Sequence, residues 1–206
     1  MSATRCLYAI LIFLALLPAG CSSSPQLPLL GADATILAFG DSLTAGSGAG
    51  DAESYPEVLG GLTGHKVVNG GVPGEFSARG VERLPGLLEQ VRPALLILCH
   101  GGNDLLARQN HQLIADNLRI MIRAAAERGV PVLLVAVPSP DLMLTPPDLY
   151  ADVSKEFNIP LEREALSRIL GKSSLKSDYV HPNGAGYRLL AEALATLLKK
   201  SGALPS

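Results

Sequence analysis

Four short, almost continuously apolar runs punctuate this chain: residues 35–39 (TILAF), 66–69 (KVVN), 94–99 (ALLILC) and 131–137 (PVLLVAV). Unbroken apolar character, in place of alternation, suits a strand covered on both faces, which is the situation of parallel strands. The intervening stretches have helical spacing. Residues 54–62 follow a serine, 77–91 carry Val81, Leu84, Leu87, Leu88 and Val91 at helical intervals, and 111–128 carry Leu113, Ile114, Leu118, Met121 and Ile122 before stopping at Gly129 and Pro131. The final third predicts helix over 148–157, a short strand near 159–161, helix over 162–170, a loop, and a last helix over 183–200. Alternating strands and helices imply right-handed crossovers and a parallel sheet with helices on both sides.

A chain of 206 residues, 48% hydrophobic and 17% charged, has enough apolar material for one substantial core and is short for two domains. The net charge is −2 without a basic tract, so nothing favours electrostatic binding of nucleic acid or of an anionic membrane surface. With 4% aromatic residues and no Trp, a stacking groove for bases or sugars is disfavoured.

The first 20 residues differ in kind from the rest. Arg5 precedes an apolar run over 7–17 and then small residues, the pattern of an export signal and too short for a membrane-spanning helix. The ending LLPAGC resembles the bacterial lipobox, with Pro18 where that pattern usually has Leu. The resemblance implies cleavage after residue 20 and lipidation of Cys21, which would hold the protein to a membrane; Ser22 points to the outer membrane. Residues 21–32 then form the lipidated cysteine and a flexible tether, and 33–202 the folded domain. Of three cysteines only Cys99 remains free in the domain, so no intrachain disulfide is expected.

In parallel α/β sheets, ligands gather at the carboxyl ends of the strands. Ser42, residues 69–74 and residues 100–104 all fall at such ends, on three different strands. A dinucleotide fingerprint fails here, because Asp51 stands where the third Gly would be, and GKSS at 171–174 lacks the first Gly of a phosphate loop. His65, His100, His111 and His181 show no metal-ligand spacing, so no metal or other cofactor is expected. A nucleophile needs a base and an orienting acid, and Asp178 and His181, three residues apart in a loop stiffened by Pro182, supply both. Each residue also has a plainer reading: Ser42 as a helix cap, Asn103 as a turn residue, Asp178 and His181 as a loop pair. Asp41 and Asp104 are read as fixing local turns.

FGDSLTAG, VVNGGVPGE, GGND and DYVHPN occur in that order between residues 39 and 183. Together they resemble the four conserved blocks of the SGNH hydrolases, or GDSL esterases and lipases, and most nearly the bacterial thioesterase, arylesterase and lysophospholipase branch. The resemblance implies a three-layer α/β/α, flavodoxin-like fold around a five-stranded parallel sheet. It implies Ser42 as nucleophile, His181 as general base and Asp178 as orienting carboxylate, with Ser42 N–H, Gly74 N–H and the Asn103 amide as oxyanion hole. Gly70 and Gly71 are rivals to Gly74. The implied activity is hydrolysis, by a monomer and through an acyl-enzyme on Ser42, of carboxylic esters, thioesters or lysophospholipids of short to medium acyl chains, with a carbohydrate O-acetyl esterase and a non-catalytic lipid- or glycan-binding lipoprotein as alternatives.

Three points are left to the tertiary structure. His100 either touches substrate or caps a strand end. Leu142, Met143 and Leu144 in the Pro-rich loop 137–150 either line an acyl groove or pack beneath the loop, and residues 74–80 are expected to form the other substrate wall.

Overall fold

The computed structural model describes residues 25–205. Five parallel strands, β1 (Thr35–Gly40), β2 (Lys66–Gly71), β3 (Leu95–Cys99), β4 (Val132–Val135) and β5 (Leu161–Glu162), lie in the order β2-β1-β3-β4-β5. β3 and β4 are buried at every position, as continuous apolar runs require. The helices are α1 (Ser42–Ala45), α2 (Tyr55–Thr63), α3 (Ser77–Val91), α4 (Gly102–Leu106), α5 (His111–Ala126), α6 (Leu149–Phe157), α7 (Ala165–Leu170) and α8 (Gly184–Lys200). α8 packs on α2 and α7, while α5 packs on α3 and α6, so the sheet is enclosed by two helical layers. This is the three-layer flavodoxin-like arrangement expected from the sequence.

The long elements lie within a few residues of their expected limits. The exceptions have local causes. β5 begins two residues late and α7 three, because Glu162 is taken into the strand and its Oε1 then accepts the N–H groups of Glu164 and Ala165 at 3.0 and 2.8 Å. Asn183 caps α8, its Oδ1 accepting Gly186 N–H at 3.0 Å. α1 and α4 were not anticipated; at four and five residues they are too short to show a period.

The expected limits 33–202 are too narrow. Leu27 and Leu30, assigned to the flexible tether, are buried, and their N–H groups donate to Ser201 O at 2.7 Å and Ala203 O at 2.9 Å. Ala203 and Leu204 are buried as well. These apolar side chains from both ends join the hydrophobic core, which favours their ordering. The signal segment and Cys21 lie outside the described residues.

The register aligns Gly40 with Gly71 on one side and Cys99 on the other, so three strands end at one level. β1 and β3 are neighbours there although β2 comes between them in sequence, which is the topological switch point of this strand order. Gly40 is required by this closeness: a Cβ there would lie 1.9 Å from Cys99 O.

Candidate active site

The ends of β1, β2 and β3 and the loop before α8 each carry one part of the site. After Gly40, Asp41 caps α1, its Oδ1 accepting Leu43 N–H at 3.0 Å, and Ser42 becomes the first helical residue. The Asp41 Oδ2 accepts Gly102 N–H at 3.2 Å and so ties the β1 loop to the β3 loop. Asp41 therefore does more than fix a local turn. Burial raises its carboxyl above the ordinary range. Asp104 likewise acts at long range, accepting Ser77 N–H and Oγ–H at 2.9 and 2.7 Å, while Ser77 Oγ accepts from Asn117 Nδ2 at 2.9 Å.

The third component comes from the loop before α8. Ser177 N–H donates to His181 O at 3.0 Å and closes the turn. Within it, Asp178 Oδ1 accepts the N–H groups of Val180 and His181, each at 2.8 Å, and Oδ2 lies 2.7 Å from His181 Nδ1. The opposite ring nitrogen, Nε2, is 3.0 Å from Ser42 Oγ. With Nδ1 donating to the carboxylate, Nε2 is left as acceptor for the hydroxyl proton. Burial pushes the Asp178 carboxyl up, but the bonds from His181 and the two backbone N–H groups outweigh it and hold the group below its ordinary range.

Ser42, His181, Gly74 and Asn103 all line one cavity of about 280 Å³. Gly70 and Gly71 do not, since both are consumed in β2. Gly74 has φ +77°, and a Cβ built there meets nothing within 4 Å. Its role for glycine is thus conformational, not the close approach that a missing side chain permits. The N–H groups of Ser42 and Gly74 donate to no loop or side-chain acceptor among the described residues. Asn103 Nδ2 donates to Glu75 O at 3.0 Å and carries a second N–H.

His100 is fully buried and absent from the cavity wall; its Nδ1 accepts Gly101 N–H at 3.0 Å, so it caps the strand end. In the 137–150 loop the three apolar residues part company: Leu144 lines the cavity, whereas Leu142 and Met143 are 95% and 78% exposed among the described residues and form no cluster beneath the loop there. Of the wall expected at 74–80, only Gly74 faces the cavity, because Ser77 already opens α3. Leu106, Pro138, Leu170 and Tyr179, which sequence reasoning passed over, supply much of the apolar lining. Tyr179 could have been noticed from its place between Asp178 and His181.

A family model described as GDSL-like lipase/acylhydrolase matches residues 38–189. The chain belongs to that family. It is similar to esterase TesA of Pseudomonas aeruginosa, 29% identical over 198 residues, covering 90% of this chain and 98% of the relative. It is also similar to the thioesterase 1/protease 1/lysophospholipase L1 of Escherichia coli, 28% identical over 173 residues, covering 80% and 83%. Among solved structures, the psychrotrophic esterase EstA from Pseudoalteromonas sp. superposes with a TM-score of 0.72 at 25% identity, covering 82% of this chain and 98% of that one.

Proposed function

We propose that this protein is a serine esterase that cleaves carboxylic esters, and thioesters of like shape, carrying short to medium acyl chains. The observation that carries the reading is the 3.0 Å contact of His181 Nε2 with Ser42 Oγ beside a cavity walled by Leu106, Leu144, Leu170 and Pro138. His181 accepts the Ser42 proton as Oγ attacks the acyl carbon, and the pair of electrons leaving the carbonyl bond places charge on its oxygen. Ser42 N–H, Gly74 N–H and the Asn103 amide receive that charge, and no cation is added beside His181. Collapse expels the alcohol or thiol, which takes the proton from His181; water then repeats the sequence on the acyl-enzyme.

The chain acts as a monomer, exported and held through a lipid on Cys21 to the outer membrane. Support for the export and the anchor lies in the charged start, the apolar run and the LLPAGC ending. Such an address favours lysophospholipids and exogenous esters as substrates. Cys21→Ser should release the protein from the membrane fraction; unchanged fractionation would overturn the anchor.

The activity is tested by hydrolysis of p-nitrophenyl esters from acetate to palmitate by the full chain beside Ser42→Ala. Turnover greatest between butyrate and decanoate, lost in the variant, is expected from the apolar lining. Acetate-only turnover would replace the proposal with O-deacetylation, and no turnover by folded protein would leave a binding lipoprotein.

A further inference from the structure

A polar cluster that acyl transfer does not use sits behind the oxyanion donors. Glu75, with a side chain only 7% exposed, directs its carboxylate inward. Oε1 accepts Arg83 Nε–H at 2.8 Å, and Oε2 accepts from Arg83 Nη2 at 2.7 Å. The same Arg83 nitrogen donates to Gly70 O at 3.0 Å, and the guanidinium stands 4.1 Å from the Phe39 ring centre, so the arginine is fastened to β2 and β1. Oε2 also lies 3.2 Å from His100 Nε2. Because His100 Nδ1 accepts Gly101 N–H, the ring proton belongs on Nε2 and points at Glu75. Room for the ring is provided by Gly80 of α3, where a Cβ would fall 2.6 Å from His100 Nε2.

The backbone of Glu75 connects this cluster to the chemistry. Its N–H donates to Val72 O at 3.2 Å, closing the turn in which Gly74 takes its left-handed conformation. Its carbonyl accepts from Asn103 Nδ2 at 3.0 Å. One residue therefore joins the loop bearing the Gly74 donor to the side chain bearing the Asn103 donor. Nothing else among the described contacts of Asn103's side chain orients it.

We infer that Glu75 is the positioning residue of the oxyanion hole: Arg83 and His100 grip its carboxylate, and its peptide sets the Gly74 N–H and the Asn103 amide relative to each other. The inference rests on the hydrolase reading above. A donor fixed before the reaction stabilises developing charge without reorganising, whereas a loose one gives up part of that benefit at every turnover. Glu75 touches no substrate, since it is absent from the cavity wall. Its loss should therefore weaken the transition state and spare substrate binding.

The test is a double-mutant cycle on p-nitrophenyl butyrate with Glu75→Ala, Asn103→Ala and both together, beside inhibition by an alkyl boronic acid that forms a tetrahedral adduct on Ser42. Glu75→Ala should lower kcat roughly 10- to 10²-fold with KM within about twofold, and the boronate Ki should rise in proportion. In the Asn103→Ala background the same change should cost clearly less than in the wild type, because one of the two donors it positions is gone. Glu75→Gln, which keeps an oxygen for Arg83, should fall between; should Glu75→Ala not fold by circular dichroism, Glu75→Gln carries the cycle. A rise in KM at unchanged kcat, or effects that multiply independently in folded proteins, would overturn the inference alone. Absence of turnover by the wild type would overturn the hydrolase reading and this inference with it.

Discussion

Asp178 performs two tasks with its two oxygens, and Asp178→Asn separates them. Oδ1 holds the loop by accepting the N–H groups of Val180 and His181, and Oδ2 accepts the proton on His181 Nδ1. Asparagine keeps an oxygen for the loop but sets an N–H against Nδ1. The imidazole can satisfy that N–H only by moving its own proton to Nε2, which then faces Ser42 and can no longer act as base. The expected loss in kcat/KM is on the order of 10⁴-fold, about 5.4 kcal/mol of transition-state stabilisation at 1.36 per decade. Asp178→Ala should behave differently, because the Asp178 side chain is 54% exposed. Water can reach Nδ1–H in its place and leave Nε2 as acceptor, while Ser177 N–H still holds His181 O at 3.0 Å. The alanine variant should therefore be at least about tenfold more active than the asparagine variant, yet the less stable of the two. Steady-state rates on p-nitrophenyl butyrate, with thermal melts of both proteins, decide it. An asparagine variant as active as the alanine variant would refute the tautomer argument.

Ser42→Ala should remove activity by on the order of 10⁴-fold or more while the melting temperature stays close to wild type, since among the described residues no hydrogen bond beyond that to His181 uses Oγ; residual turnover within tenfold of wild type contradicts a nucleophilic serine. Gly74→Ala should cost about 1–2 kcal/mol of stability from the positive φ alone, with no clash to add, and denaturant unfolding should show it; a loss above about 4 kcal/mol would mean that the site is sterically closed. Burial pushes the Glu75 carboxyl up, but Arg83 and His100 outweigh it and leave the group below its ordinary range. Its stabilisation is then fully present above the unfolded glutamate value, about 4.3, and disappears as pH falls through the lower folded value. Melting temperatures of Glu75→Gln should accordingly lose part of the wild-type slope in that acid window, and an identical slope would contradict the assignment.

Much of the site could be read along the chain because its signals are local. The break at Gly40 after an apolar strand, the turn residue Asp41 and the three-residue spacing of Asp178 and His181 each involve neighbours, and their order matched a known set of blocks. Gly74 could be preferred over Gly70 and Gly71 only by that matching. The strand pairing makes the choice physical by consuming both rivals in β2.

Fold class follows from the order of residues, since continuous apolar runs between amphipathic helices can be covered in few ways other than as a parallel sheet between two helical layers. That order also determined which side chains could supply nucleophile, base and acid. The tertiary structure alone decided where the domain ends, which loop leucine faces the cavity, and that His100 looks away from it toward Glu75. These outcomes depend on partners such as Leu27 with Ser201, Glu75 with His100, or Ser77 with Asp104, which only the folded chain brings within bonding distance. No periodicity within one element carries information about such contacts, because they are set by how the layers close around the sheet.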